Sequence, residues 1–63
     1  MDKKQFKYEF EGDKYVVKKE GWGHSIYSIK EDGEWHRLGE GPETDLEKVK
    51  AEIEESGAEI LED

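Results

Sequence analysis

Sixty-three residues with no cysteine, ten basic against eighteen acidic side chains and a formal net charge of −8 bound the reading before any motif is considered. A chain of this length makes one domain (1–63) near the smallest size that holds a core unaided, and without cysteine no disulfide or thiolate metal site can staple it. The acidic balance repels phosphate backbones, which disfavours direct nucleic-acid binding.

No apolar run approaches the roughly 18 residues of a membrane span. The charged start Met1-Asp2-Lys3-Lys4 lacks the apolar centre of a signal peptide, so a cytoplasmic protein with no membrane partner is expected. Charged residues make up 44% of the chain, a level compatible with disorder, but the ordered aromatic alternation near the N-terminus argues for a fold. Asparagine is absent, glutamine occurs once, and Lys and Glu abound. That bias is shared by proteins from hot environments and by idealised designs, so a designed scaffold without evolved function is one reading.

After a polar lead-in, Met1 to Gln5, the residues Phe6, Tyr8 and Phe10 alternate with charged neighbours, Gly12-Asp13 supplies a turn, and Tyr15 and Val17 answer on the return. Period two with a Gly-Asp turn predicts a β-hairpin, with strands over about Lys4–Glu11 and Lys14–Lys19. A two-residue turn there pairs Phe10 with Tyr15 and Tyr8 with Val17, placing all five apolar side chains on one face. The other face holds Lys7, Glu9, Glu11, Lys14 and Lys18, with Val16 as its apolar exception.

Trp22 sits between Gly21 and Gly23, glycines that supply unusual backbone angles or let another strand pass closely. The ring then either caps the end of the core or stands out as an aromatic anchor. A third strand, Ser25–Lys30, leads to Glu31-Asp32-Gly33-Glu34, where Asp-Gly signals a second hairpin. A two-residue loop puts Tyr27, Ile29, His36 and Leu38 on one face and Ile26, Ser28, Lys30, Trp35 and Arg37 on the other. A three-residue loop with Gly33 in the left-handed region puts Trp35 beside Ile29 instead.

Gly39 to Pro42 breaks the sheet. Thr44 to Glu47 reads as a capping box with Thr44 as N-cap, opening a helix over about Asp45–Ser56 whose Leu46, Val49 and Ile53 form a narrow apolar stripe, with Gly57 ending it. Ala58–Glu62 is apolar enough for a short fifth strand beside the first, giving the order 5-1-2-3-4; the alternative is a packed tail under strands curled into a small barrel. The expected fold is therefore α+β: a four-stranded antiparallel sheet of two β-hairpins, open or curled, followed by one C-terminal helix and a short fifth strand.

One helix covers one face, and Phe6, Tyr8, Phe10, Tyr15, Val17, Tyr27, Ile29 and Leu38 suffice for the core beneath it. The uncovered face is expected to hold Val16, Ile26 and Trp35, with Trp22 and His24 nearby and Arg37 at the rim, a composition suited to recognition or to a homodimer seam. If the sheet curls strongly, the same residues become a second interior. Glu52, Glu54 and Glu55 crowd the last turns of the helix, where the macrodipole prefers cations, and Glu59 and Glu62 follow, with Glu52, Glu55 and Glu59 as the candidate patch. They read as a solubilising face or as an acidic patch for a basic partner.

No hydrolase, zincin, P-loop or dinucleotide motif is present, and His24 and His36 lack metal-ligand spacing. No catalytic residue, metal ligand or cofactor site is predicted, and the chain is expected not to be an enzyme. A domain this small has little room for a concave pocket of the roughly 300 Å³ usual for ligands unless two copies share one. The leading expectation is a small acidic module that binds another protein, as an inhibitor or modulator of a basic or nucleic-acid-binding partner of the viral or mobile-element kind. The second is a homodimer sequestering a small anionic, nucleotide-like ligand among Trp22, His24, Tyr27, Lys30, Trp35 and Arg37.

Overall fold

The first hairpin forms where the alternation places it, and its turn lies one residue earlier than expected. The computed structural model describes residues 4–62, so the first residues of the lead-in fall outside it. Strands β1 (Gln5–Phe10) and β2 (Asp13–Glu20) are joined by Glu11-Gly12, with φ of 52° and 87° at these two positions. Two successive positive φ values match the right-handed twist of paired strands, which is why this turn displaces the Gly12-Asp13 alternative. Pairing becomes Phe6 with Val17 and Tyr8 with Tyr15. The shift is two residues along the partner strand, so the expected five apolar side chains still share a face.

β3 (Gly23–Ile29) follows a two-residue Gly21-Trp22 connection, and its register sets Ile26 against Val17, Tyr27 against Val16 and Ile29 against Lys14. This reverses the expected assignment. Ile26 shares the face of Phe6 and Val17, whereas Tyr27 and Ile29 lie on the opposite face.

The hairpin to β4 (Trp35–Gly41) uses a three-residue loop, with Gly33 at φ 88°, its N–H donating to the Lys30 carbonyl, and the Lys30 N–H donating to that of Glu34. Trp35 accordingly faces Ile29 and Arg37 faces Tyr27. Between Ile26↔Gly39 and Tyr27↔Arg37 the register slips, and Leu38 is the extra residue of a β-bulge. It is 60% exposed rather than a core residue, and His36 stands opposite Ser28 instead of Ile29.

Helix α1 (Leu46–Glu55) begins one residue later than a Thr44 cap would give. Asp45 is the N-cap, its carboxylate accepting from the Glu47 N–H at 3.0 Å, while the Glu43 carboxylate accepts from the Asp45 N–H at 3.0 Å. A carboxylate serves the helix start better than a hydroxyl because it also meets the positive end of the dipole. At the other end the Gly57 N–H donates to Glu54 and the Ala58 N–H to Ile53, with Gly57 at φ 104°, a Schellman closure that reverses the chain. The reversal delivers β5 (Glu59–Glu62) antiparallel to β1, with Ile60 opposite Tyr8.

The sheet order is β4-β3-β2-β1-β5, open, with β4 and β5 as its two edges rather than a closed barrel. Phe6, Val17, Leu46 and Val49 form the buried cluster between sheet and helix, with Tyr8, Ile26, Ile53 and Ile60 packed around it. No described helix is long and apolar enough to cross a membrane.

An aromatic and cationic patch on the uncovered sheet face

The face away from α1 has cross-strand rows set by register. Lys7, Val16, Tyr27 and Arg37 make one row across β1 to β4; Glu9, Lys14, Ile29 and Trp35 make the next. Val16 lies in the middle and is fully buried, flanked by Lys7 and Tyr27. The interior is therefore not confined to the helix side, and Val16 is no docking residue.

Outward from Val16 the face becomes accessible. The Tyr27 and Trp35 rings pack at 5.6 Å between centroids, tilted by 43°. The Arg37 guanidinium carbon lies 5.9 Å from the centroid of Trp22, whose ring reaches from the β2–β3 connection toward β4. Glu40, three residues on, holds the same guanidinium in an ion pair. Trp22, Glu40, Gly41 and Pro42 line a shallow trough of about 320 Å³. Trp22 remains 51% exposed and Trp35 40% exposed, so neither indole is used up by its own chain.

This arrangement orders Arg37 in advance. A guanidinium held between a carboxylate and an aromatic face loses less side-chain freedom when a partner arrives, and the cation–π contact adds about 0.5–1 kcal/mol at such an exposed site.

Two expected members are elsewhere. Ile26 packs against the core beneath α1, because the even two-residue connection before β3 puts it opposite Val17. His24 is 8% exposed and is spent as a structural latch. Its ring lies so close to Gly41 that a Cβ there would sit 2.6 Å from Cε1, and its Nδ1 is 2.8 Å from the Glu43 carbonyl oxygen. A carbonyl only accepts, so the imidazole carries its proton on Nδ1 and donates it. Gly23 completes the latch: a side chain there would meet the Gly41 carbonyl oxygen at 2.0 Å, which is the close approach foreseen for a glycine beside Trp22.

Tyr27 belongs to the patch although it was expected beneath the helix, because the two-residue Gly21-Trp22 connection sets it opposite Val16. Gly33, whose preference for positive φ allows the three-residue loop, keeps Trp35 and Arg37 on that same face.

Elsewhere, Glu52, Glu55 and Glu59 are exposed, and the last helical turn has no basic residue. His36 is exposed, with its Nε2 3.6 Å from a Glu34 carboxylate oxygen. Between the two hairpin tips lies a trough of about 490 Å³ lined by Asp13, Tyr15, Ser28, Lys30 and Leu38 among others. It exceeds the size anticipated for so small a chain, and the Ser28 hydroxyl beside it is buried without a hydrogen-bond partner. Tyr8 and Tyr15 stack nearby at 5.0 Å. Burial, and secondarily the neighbouring Tyr15, raises the Tyr8 phenol above its usual pKa. Among the described residues no group of three or more His, Asp or Glu is placed to hold a metal ion.

Comparison with protein-family models, with curated proteins and with solved structures gave no match to this chain.

Proposed function

We propose that the protein is a non-enzymatic recognition module that docks a basic partner protein on its uncovered sheet face, with Trp22, Tyr27, Trp35 and Arg37 as the anchors. The observation that carries this reading is the pair of half-exposed indoles flanking an ordered arginine on a strand face the helix leaves open. Trp, Tyr and Arg are the residues in which interface energy concentrates.

Charge selects the class of partner. A second copy would bring another −8 toward the first, whereas a basic protein is steered in, with Glu52, Glu55 and Glu59 contributing at longer range. An inhibitory or modulating effect would follow wherever the docked surface of the partner is its working surface.

The test is a selection of displayed random peptides on the immobilised protein, with counter-selection on the Trp22→Ala/Trp35→Ala double variant. Recovered peptides should be net positive, should shift the indole N–H signals of Trp22 and Trp35, and should weaken with added salt. Peptides that are neutral or acidic, or that map to the helix, would remove the reading. So would a stable dimer in sedimentation that buries both indoles.

A further inference from the structure

We propose that the partner is captured as an extended basic segment that adds a strand to the free edge of β4; this rests on the recognition reading above and names its mode. β4 is an edge strand of seven residues, and the hydrogen-bond pattern identifies which of its backbone groups are free. The Lys30 N–H donates to the Glu34 carbonyl, while the Lys30 carbonyl accepts from Gly33 and the Glu34 N–H donates to the Asp32 carboxylate, so Lys30 and Glu34 stand at a hydrogen-bonded position closed by one ladder bond. Antiparallel pairs alternate between bonded and non-bonded. Ile29 and Trp35 are then a non-bonded pair, Ser28 and His36 a bonded one, and Tyr27 and Arg37 again non-bonded. Trp35 and Arg37 therefore direct their N–H and C=O groups away from β3, toward the open side.

These are the same two residues whose side chains stand in the aromatic patch. A strand laid along this edge would satisfy the backbone groups of Trp35 and Arg37. It would also bring alternate side chains of its own beside the Trp35 ring and the Arg37 guanidinium. Main-chain pairing supplies affinity in this mode and the alternate side chains supply selectivity.

The surroundings of the edge specify the charge of the segment. Between residues 30 and 43, Glu31, Asp32, Glu34, Glu40 and Glu43 outnumber Lys30 and Arg37, and Arg37 is already paired with Glu40. Lysine or arginine at alternate positions of the incoming strand would meet this excess. The same carboxylates oppose pairing of two β4 edges with each other, a guard that open edges require. The bulge at Leu38 and Pro42 just beyond the strand confine usable pairing to its first half.

The probe is a blocked peptide of alternating lysine and valine, about eight residues long as a strand requires. It is compared with its glutamate counterpart and with a helical lysine–alanine peptide of equal charge. At saturation the alternating lysine peptide should slow hydrogen exchange of the Trp35 and Arg37 amides by at least about tenfold, leaving His36, already bonded to β3, nearly unchanged.

Two variants isolate the backbone term. Arg37→Ala keeps the outward N–H, whereas Arg37→Pro removes it at an edge position where proline breaks no bond to β3, so the proline variant should bind at least about tenfold more weakly than the alanine one. Failure of the lysine peptide to bind overturns the edge-pairing proposal, as does equal binding by the helical peptide. Indole shifts without amide protection at Trp35 and Arg37 overturn it too, while leaving the recognition reading in place. Loss of binding on the indole face by every selected peptide overturns both.

Discussion

The helix side of this sheet holds more of the large apolar side chains than the opposite face, and the two faces use them differently. Under the helix, Phe6 and Val17 meet Leu46 and Val49 and are lost to solvent entirely. On the other face Val16 alone of the described apolar side chains is buried, and the rings around it stay half available. A buried residue on an open face therefore does not make that face a core. Strand neighbours alone can close over a small central valine, while the larger rings at its margin keep one side each for a partner.

Substitutions on the two faces should separate their roles. Phe6→Ala should cost about 3–5 kcal/mol, close to the whole stability of so small a domain, and calorimetry should find no cooperative transition. Gly23→Ala should follow, costing about 1–3 kcal/mol by forcing the Gly41 carbonyl away. Chemical denaturation would report the loss, and amide shifts should centre on His24 and Glu43. Val16→Ala should cost about 2 kcal/mol despite lying on the uncovered face.

Trp35→Ala should change stability by less than about 1 kcal/mol yet weaken peptide binding by tenfold or more. If its unfolding midpoint fell as far as that of Phe6→Ala, the open face would be a second core and the docking surface would be lost with it.

The smallest effect is a pH dependence. With the Tyr8 phenol raised in the folded state, the native form holds its proton longer than the unfolded chain. Stability is then complete below the ordinary tyrosine pKa of about 10 and declines as pH rises through the folded value. Denaturant titrations at increasing alkaline pH should show the decline, and Tyr8→Phe should flatten it; an unchanged slope would mean that Tyr8 is not its source.

Most of the architecture was legible because alternation and helical spacing are set by side chains that must be buried. What the sequence left open was the parity of the loops. In the first hairpin the turn moved from Gly12-Asp13 to Glu11-Gly12, a displacement that preserves parity, so the apolar face was unaffected. In the second, the three-residue loop changed parity.

That change coincided with a reversal of β3, which put Ile26 inside and Tyr27 outside. The two reversals cancel at β4, leaving Trp35 and Arg37 on the uncovered face as the even-loop reading also had them. His24 was misplaced for another reason: its role depends on a contact with Gly41 and Glu43, which no local pattern encodes.

The pairing of β5 with β1 has a consequence for how the molecule is made. The outer rim of the first ribbon is sealed by residues about fifty positions later in the chain, the kind of distant closure that slows folding. Until then Phe6, Tyr8 and Phe10 sit on an unsealed strand, and a nascent or clipped chain ending before Ala58 would offer that strand to its neighbours. Proteolysis in the Ser56-Gly57 segment should therefore yield aggregates rather than a slightly shortened, working domain.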